Sequence, residues 1–273
     1  MKGCAVVVAI VAVVVAATSA VTGDRVLIAA HRGGAALNPE NSLAAFRHAI
    51  TLGADVLEFD LHLTRDGGVI VLHDATLDRT TTAAGAARNL ALADLASVRL
   101  KTREGVATEE RVPTFAQVLD LARRTSVELL PEIKVGADGA PYAGIEEKVL
   151  DLVRARGLLT RVTIQASQPA TIRRLHELEP ALRTMLLVAR GRLERERASP
   201  PEAVRWAQDV GASDLGMDFR MIDQGVVTVA REAKIRLSAW TVNGEPDIIR
   251  MLDVGVDIII SDRPDLALRL RGR

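Results

Sequence analysis

Five polar residues each stand at the end of an apolar run, where their side chains could do chemistry together. They are His31, Glu58, Asp60, His73 and Glu132. Ordering such groups at the end of a hydrophobic strand is costly without a purpose. In parallel α/β folds the carboxyl ends of strands are where active sites are built. The pattern therefore predicts an enzyme with a carboxylate-bound metal ion and histidine acid/base chemistry.

The three acids are suited to bind a hard cation. Glu58 and Asp60 are two residues apart, so on a strand both carboxylates face the same side. Two acids that point together repel and need a cation or a proton between them. With Glu132 they offer three oxygen donors, which suit Mg2+, Ca2+ or Mn2+ rather than Zn2+. The spacing leaves open a second interpretation, a buried ion-pair network with Arg32 or Lys134.

The two histidines could divide proton transfer between them. His31 is followed by Arg32, Gly33 and Gly34. The glycines allow the backbone to approach a ligand closely, and the planar guanidinium of Arg32 suits a phosphate group. Two histidines that flank a metal can act as one base and one acid. Either histidine alone could equally be a hydrogen-bonded core residue.

Further polar and aromatic residues are weaker candidates. Lys134 shares a strand face with the third acid and could bind a phosphate oxygen or form a simple salt bridge. Trp240 closes a later apolar run and could fill the core or form a wall for part of a substrate. His62 is expected at the rim of the fold. His48 and His176 fall in helical stretches and are expected to be structural or surface groups.

Short β-rich runs alternate with amphipathic stretches in which apolar residues recur at three- and four-residue steps. Alternation over this length predicts a TIM (β/α)8 barrel of the α/β class. The runs predicted as strands are Val26–Ala30, Asp55–Asp60, Val69–His73, Val127–Ile133, Val162–Ala166, Arg183–Val188, Ser213–Asp218, Arg236–Thr241 and Asp257–Ser261.

Nine runs are predicted as strands, but a (β/α)8 barrel has only eight parallel strands. Val69–His73 is the extra run. Only the four residues Arg65–Gly68 separate it from the preceding run, whereas a parallel crossover needs a dozen or more. Asp-Gly between apolar runs is instead a hairpin signal. A turn centred between Asp66 and Gly67 predicts that Asp60 lies directly opposite His73.

The segment 74–113, about forty residues, fits the alternation poorly and has no clear strand. A long irregular segment inside a compact domain is uncommon and is often functional. We therefore expect residues 21–273 to form a single barrel domain with an insertion at 74–113, directly after the second histidine and above the catalytic face.

The first twenty residues have the pattern of a signal peptide. Lys2 precedes an apolar run from Ala5 to Ala17, and Thr18-Ser19-Ala20 offers small residues for cleavage. The run is shorter than the roughly 20 residues that span a bilayer. The sequence therefore predicts export to the periplasm or the medium, with no stable membrane insertion after cleavage. The single cysteine, Cys4, would be removed, which excludes disulfides.

The overall charge argues against a polyanionic partner. The 273 residues contain 35 Lys plus Arg and 35 Asp plus Glu, so the formal net charge is zero. Neither nucleic acid nor an anionic membrane surface is favoured as the main partner. A small-molecule substrate fits better, and the oligomeric state stays open.

The chain also carries an ordered set of short motifs that covers nearly all of the expected mature protein. They are His31-Arg32-Gly33-Gly34, Pro39-Glu40-Asn41-Ser42, Gly53-Ala54-Asp55, Glu58-Phe59-Asp60, Thr64-Arg65-Asp66-Gly67, His73-Asp74, Asp78-Arg79-Thr80-Thr81, Pro113-Thr114-Phe115, Glu132-Ile133-Lys134, Trp240-Thr241-Val242-Asn243, Gly255-Val256-Asp257 and Ser261-Asp262-Arg263-Pro264. Single pieces are weak signals, but in this order they resemble the glycerophosphodiester phosphodiesterase family.

The resemblance implies a phosphodiesterase barrel that hydrolyses glycerophosphodiesters to glycerol 3-phosphate and an alcohol. It implies roles for seven residues: His31 and His73 as the acid/base pair, Glu58, Asp60 and Glu132 as ligands of one divalent cation, Ca2+ or Mg2+, and Arg32 and Lys134 as phosphate ligands. Gln165-Ala166-Ser167 departs from the usual Ser-Phe of the family, which bears on the choice of leaving group.

Two other functions compete with this one. A lysophospholipase D or sphingomyelinase D type enzyme would keep the same core but would be expected to have an apolar rim. Residues 74–113 carry few large apolar groups, which favours soluble diesters. A catalytically silent phosphate- or polyol-binding barrel, or a structural protein with a vestigial site, is disfavoured because both histidines and all three acids are present.

Overall fold

The computed structural model describes residues 25–272, and the signal peptide expected at 1–20 lies outside them. Within residues 25–272, eight parallel strands form a closed barrel, as predicted. The strands of the chain are β1 (Leu27–Ala30), β2 (Val56–Leu63), β3 (Val69–Val71), β4 (Arg99–Lys101), β5 (Ala107–Arg111), β6 (Glu128–Ile133), β7 (Thr163–Ala166), β8 (Arg183–Val188), β9 (Asp214–Asp218), β10 (Arg236–Trp240) and β11 (Ile258–Ser261). The barrel order is β1-β2-β6-β7-β8-β9-β10-β11, and β11 pairs with β1 to close the ring.

Helices follow most of the barrel strands and cover the outside of the ring. They are α1 (Leu43–Leu52), α2 (Phe115–Ala122), α3 (Ile145–Arg154), α4 (Pro169–Leu178), α5 (Arg190–Glu196), α6 (Glu202–Asp209), α7 (Gln224–Glu232), α8 (Glu245–Val254) and α9 (Pro264–Arg271). None of the helices in residues 25–272 is both long enough and apolar enough to cross a bilayer.

Local sequence signals account for several helix boundaries. The Ser42 hydroxyl accepts a hydrogen bond from the Ala45 amide at the start of α1. The Thr114 side chain accepts from the Gln117 amide at the start of α2, and Gln117 accepts from the Thr114 amide in return. These bonds satisfy amides that the first helical turn leaves without partners. At the other end of α1, Gly53 adopts a φ of 85°, which favours glycine.

The alternation of side chains along the strands determines what the barrel presents at its mouth. Val56 on β2 and Leu130 on β6 belong to an apolar cluster inside the ring. Two residues further along the same faces come Glu58 and Glu132, and Asp60 lies level with Glu132 in the β2–β6 register. The apolar inward faces of β2 and β6 therefore give way to carboxylates at the carboxyl end of the barrel.

The hairpin formed by β2 and β3 has a different register from the one expected. Leu61 pairs with Val71, which puts Leu72, rather than His73, level with Asp60. The Leu72 amide donates to the Asp60 main-chain oxygen at 3.0 Å. The physical reason is the length of the loop. The Thr64 amide donates to the Gly68 main-chain oxygen, so three residues lie in the loop, and Gly67 among them has a φ of 81°. A three-residue loop with a left-handed glycine shifts the pairing by one residue relative to a two-residue turn.

The segment 74–113 is more regular than the sequence indicated. It contains β4 and β5, which pair with each other in a separate antiparallel sheet, and two short 3-10 helices. Leu77, Leu95 and Leu100 are buried in a small core together with Ile70 and Leu72 of the hairpin arm. The expectation of a segment without strands was therefore wrong, because this small core is enough to order two short ones.

Candidate active site

A cavity of about 280 Å³ opens at the carboxyl end of the barrel. All eight residues that the sequence singled out line it: His31, Arg32, Glu58, Asp60, His73, Glu132, Lys134 and Trp240. They come from four barrel strands or the turns after them and from the arm of the β2–β3 hairpin. The fold thus brings the whole predicted set to one cavity. His73 lies there although the β2–β3 hairpin register differs by one residue from the predicted one.

The three acids converge on one point of the cavity. Glu58, Asp60 and Glu132 each offer an oxygen atom, and these atoms lie within 4.8 Å of one another. Glu58 and Asp60 are buried, with exposed fractions of 3% and 1%. Three hard carboxylate donors at this spacing could hold a metal ion.

The electrostatics of the acids also fit a cation. Burial raises the pKa of Glu58 to about 7 and also raises the pKa of Glu132. Burial works in the same direction on Asp60, but Lys134 and Arg32 outweigh it and hold the pKa of that carboxyl below its usual range. A bound cation would relieve this crowding of buried negative charge.

Lys134 and Arg32 already compensate part of that charge. The Lys134 Nζ atom lies 3.1 Å from Glu132 Oε1 and 3.5 Å from Asp60 Oδ1. The Arg32 amide donates to Glu58 Oε2 at 2.9 Å, and its Nε lies 3.6 Å from Asp60 Oδ2. The ion pairs of Arg32 and Lys134 with the acids, which the sequence allowed as an alternative to a metal site, are therefore present. They surround the acids but do not fill the cavity.

His31 is held by a carboxylate from the other end of the chain. Its Nδ1 donates to Asp262 Oδ1 at 2.6 Å, across 231 residues of sequence. Asn243 fixes Asp262 in turn, because its Nδ2 donates to Asp262 Oδ2 at 2.7 Å. Burial lowers the pKa of His31, but Glu58 and Asp262 outweigh it, so the pKa is raised. The free Nε2 lies on the cavity side, 3.9 Å from Glu58 Oε2.

His73 has an equivalent carboxylate beside it. Its Nδ1 donates to Asp74 Oδ1 at 2.6 Å, and Arg79 binds Asp74 through Nε at 2.7 Å. Burial, together with the nearby Lys134 and Arg32, lowers the pKa of His73. In both histidines the bond at Nδ1 selects the tautomer and leaves Nε2 available to a substrate.

Glu40 joins the surroundings of the two histidines. It accepts a hydrogen bond from Arg32 Nη1 at 3.0 Å and two more from Arg79 at 2.9 Å each. Because Arg79 also binds Asp74, the chain of contacts runs from the turn after β1 to the carboxylate beside His73. One residue of the 74–113 segment therefore helps to position the site.

His62 is not a rim residue, contrary to the expectation. It is buried, with an exposed fraction of 1%, and burial lowers its pKa to about 4. Its Nε2 donates to the main-chain oxygen of His73 at 3.1 Å, and its Nδ1 accepts from the Tyr142 hydroxyl at 2.8 Å. His48 on α1 and His176 on α4 are exposed, as expected.

The remaining lining residues give the cavity a second, less polar side. Leu187, Ile260 and Trp240 pack with the interior cluster of the barrel. The Trp240 Nε1 atom is buried and has no hydrogen-bond partner among the described residues. Gln165 donates from Nε2 to Glu58 Oε1 at 2.7 Å and thereby orients that carboxylate.

Sequence reasoning missed several residues that support this geometry. Besides Asp74 and Arg79, which fix His73, they include Glu40, Gln165, Asn243 and Asp262. Asp262 carried a usable signal, because it directly follows an apolar strand just as His31 does. Glu40, Gln165 and Asn243 stand in loops or inside a strand, and only the packed structure gives them their partners.

Comparison with known proteins assigns the barrel to a family. The model of the glycerophosphoryl diester phosphodiesterase family matches residues 31–266. The chain belongs to this family. It is therefore an enzyme, a phosphoric diester hydrolase of the glycerophosphodiester phosphodiesterase type, and the family suggested by the resemblance is confirmed.

Individual relatives agree with the family assignment. A glycerophosphodiester phosphodiesterase of Caldanaerobacter subterraneus subsp. tengcongensis is 32% identical over 247 residues, which cover 90% of this chain and 98% of that protein. A candidate glycerophosphoryl diester phosphodiesterase of Agrobacterium tumefaciens has a solved structure with a TM-score of 0.83 and 28% identity, covering 90% of this chain and 97% of the other. An Oleispira antarctica phosphodiesterase, solved with its product sn-glycerol-3-phosphate, shares the fold with a TM-score of 0.76 at 22% identity, covering 90% and 97%.

Proposed function

We propose that this phosphodiesterase hydrolyses glycerophosphodiesters to glycerol 3-phosphate and an alcohol, with one divalent cation, Ca2+ or Mg2+, and with His31 and His73 as the acid/base pair. The observation that carries the proposal is the meeting of both histidines with three convergent carboxylates in one cavity of a family member. The Oleispira antarctica relative, solved with sn-glycerol-3-phosphate, supports the same product class.

Three residues would hold the cation and two would bind the phosphate. Glu58, Asp60 and Glu132 are the cation ligands, and a bound cation would neutralise charge on the diester. Lys134 carries three N–H donors and can turn from Glu132 to a phosphate oxygen without losing all contact with the acids. The Arg32 guanidinium, held by Glu40, offers further donors at the same wall of the cavity.

The two histidines would transfer protons at opposite ends of the scissile bond. One takes a proton from a water molecule, or from a hydroxyl of the glycerol moiety, as that oxygen attacks phosphorus, and the other gives a proton to the departing alkoxide. Attack by water gives glycerol 3-phosphate directly, whereas attack by the hydroxyl gives a cyclic phosphate, which a water molecule then opens to glycerol 3-phosphate with the roles of the two histidines exchanged. Asp262 and Asp74 hold the Nδ1 atoms, so each ring exchanges its proton through Nε2. Either assignment of base and acid is consistent with this arrangement.

Trp240 would contact the organic part of the substrate. Its ring offers an apolar surface beside Leu187 and Ile260, and its unpartnered Nε1–H can donate to a hydroxyl or phosphate oxygen. A glycerol moiety has both C–H surface and hydroxyl groups, so the Trp240 ring could contact the carbon atoms while its Nε1–H donates to a hydroxyl.

The decisive experiment measures the release of glycerol 3-phosphate from glycerophosphocholine by the purified protein. We expect activity that EDTA abolishes and that Ca2+ or Mg2+ restores. The variants His31→Ala and His73→Ala should each lose roughly 100-fold or more in kcat, the usual share of one acid/base group. His176→Ala, which changes an exposed histidine on α4, is the matched control. Activity in the double histidine variant would refute the mechanism, and indifference to EDTA would refute the cation site.

A lipid-directed activity is the main alternative. Such an enzyme needs an apolar surface at its mouth, but in the 74–113 segment only Leu92 and Val106 are exposed large apolar residues, at 37% and 62%. This favours water-soluble diesters. Faster hydrolysis of lysophosphatidylcholine than of glycerophosphocholine would reverse the preference.

We also propose that the enzyme is exported, on the pattern of residues 1–20. Mass spectrometry of the protein recovered from the producing cells should find a mature form that begins near residue 21 outside the cytoplasm. A full-length protein retained in the cytoplasm would refute this proposal.

A further inference from the structure

A second cavity adjoins the proposed active site on the other side of the turn that follows β1. It measures about 390 Å³, and His31 and Arg32 line both cavities. Its outer wall comes from the 74–113 segment, which contributes Arg79, Lys101 and Arg103. Because His31 and Arg32 belong to the lining of both cavities, the second cavity lies next to the place where the acids would hold a diester.

The charges that line this cavity are unevenly paired. Arg32 and Arg79 both bind Glu40, and Asp262 is taken by His31. The other two cationic residues of the lining are Lys101 and Arg103. Among residues 25–272, neither of them forms a salt bridge. Lys101 has only a long hydrogen bond, 3.4 Å from its Nζ to the Asp78 main-chain oxygen.

Those two cations make the cavity suitable for an anion. The carboxylates near them, Asp78 and Glu104, interact with them only at longer range. Lys101 is half-buried and Arg103 is exposed, so both ammonium and guanidinium can turn toward a ligand at little cost. Charge-assisted hydrogen bonds to phosphate or carboxylate oxygens are the strongest that such groups form.

We propose that this second cavity binds the alcohol portion of the substrate and selects alcohols that carry an additional anionic group, a phosphate or a carboxylate. The inference rests on the proposed function, because it takes the diester phosphorus to lie at the acids. Lys101 and Arg103 are the specificity-determining residues. Their contact with the second anion adds to the binding that Arg32 and Lys134 give to the diester.

The test uses two matched pairs of substrates that differ only in the extra anion. Glycerophosphoinositol 4-phosphate is compared with glycerophosphoinositol, and glycerophosphoserine with glycerophosphoethanolamine. The double variant Lys101→Ser, Arg103→Ser should lower the preference for the anionic member, as a ratio of kcat/KM values, by roughly five- to tenfold, because two partly exposed ion pairs are lost. Arg124→Ser, which removes an exposed charge after α2 at the opposite end of the barrel, should leave the ratio unchanged.

A binding measurement separates this inference from the proposed function. The same four diesters are titrated calorimetrically into the His73→Ala variant, with and without the double substitution and with Ca2+ present, so that affinity is read without turnover and with the cation site available. A preference for the anionic members that the double variant loses would support the subsite, even if wild-type protein hydrolysed none of the four. Equal affinities within both pairs, or a preference that survives the double variant, would overturn it. Loss confined to one pair identifies the anion as phosphate or carboxylate.

Discussion

His62 donates a hydrogen bond from its Nε2 to the main-chain oxygen of His73, across 3.1 Å. His62 lies on β2, inside the sheet, whereas His73 lies just beyond the end of β3. The Tyr142 hydroxyl, from the connection between β6 and α3, completes the environment of His62 by donating to its Nδ1. Two different connections of the barrel therefore meet at one buried imidazole that holds the backbone of a proposed catalytic residue.

Replacement of His62 should impair turnover more than substrate binding. His62→Phe removes the donor to His73, so the His73 ring loses its fixed position relative to the acids. Small misplacements of a reacting group are costly, and we expect kcat to fall roughly 10- to 100-fold with little change in KM. Steady-state kinetics on glycerophosphocholine will measure both constants.

Partial rescue distinguishes positioning from a general loss of structure. His62→Gln keeps an N–H donor that can reach the same oxygen, so it should recover part of the kcat that His62→Phe loses. His176→Phe, on the exposed face of α4, is the control for a histidine-to-phenylalanine change. Equal activity of His62→Phe and wild type would show that the contact does not position His73.

The carboxylate beside His31 should also be needed for activity. Asp262→Ala removes the acceptor for His31 Nδ1 and leaves the ring free to turn or to change tautomer. We expect kcat to fall roughly tenfold or more, a part of the usual contribution of one acid/base group. Asp265→Ala is a nearby comparison, because Asp265 binds Arg263 rather than a residue of the cavity. Similar losses in both variants would contradict a specific role for Asp262.

Two glycines with nearly the same backbone conformation should respond differently to alanine. Gly33 and Gly53 have φ values of 82° and 85°. A Cβ atom on Gly33 would lie 2.7 Å from the Ala45 Cβ and 3.1 Å from its carbonyl carbon, whereas a Cβ on Gly53 would meet nothing within 4 Å. Gly53→Ala should therefore lower the free energy of unfolding by about 1 kcal/mol, through backbone strain alone.

Gly33→Ala should cost more and should reduce activity as well. The contact with α1 must be relieved by moving the turn that contains His31 and Arg32. Urea denaturation and kinetics on both variants will measure the two effects. If the Gly33→Ala variant were as stable and as active as the Gly53→Ala variant, the turn and α1 could move apart without affecting stability or activity.

Asp214 predicts a pH dependence of stability at the other end of the barrel. It is fully buried, Ser213 Oγ donates to its Oδ2 at 2.6 Å, and Arg236 Nε lies 3.6 Å from its Oδ1. Burial outweighs these contacts and raises the pKa of Asp214 above its ordinary value of 3.8. An acid whose pKa is raised by folding lowers the free energy of unfolding as pH rises through that interval.

Asp214→Asn removes this titration. The free energy of unfolding of the variant, relative to wild type, should therefore increase as the pH is raised above the ordinary pKa of 3.8 and through the raised pKa of Asp214. Urea denaturation at a series of pH values will measure the difference, with Asp209→Asn, an exposed position on α6, as the control. A difference that is constant or that decreases with pH would contradict the raised pKa.

Much of the candidate site could be predicted because it depends on local patterns. An acid two residues from another on a strand must share its face, and a polar residue that ends a buried strand must lie at the edge of the sheet. These two rules led to Glu58, Asp60, Glu132 and His31 before any contact was known. Asp262 also follows an apolar strand, but its contact with His31 could not be predicted because the two residues are 231 positions apart in the sequence.

The amino-acid sequence by itself determined the alternation of strands and helices, the boundaries that capping residues set, and the types of side chain that meet at the barrel mouth. Only the tertiary structure decided how His73 is positioned next to the other side chains of the cavity. One residue of difference in the Thr64–Gly68 loop shifts the whole hairpin. The conformation of this loop depends on contacts such as the Arg65 amide with the Leu90 main-chain oxygen and the Leu92 amide with Asp66. Those contacts come from the 74–113 segment, whose own small core forms only when the chain is folded.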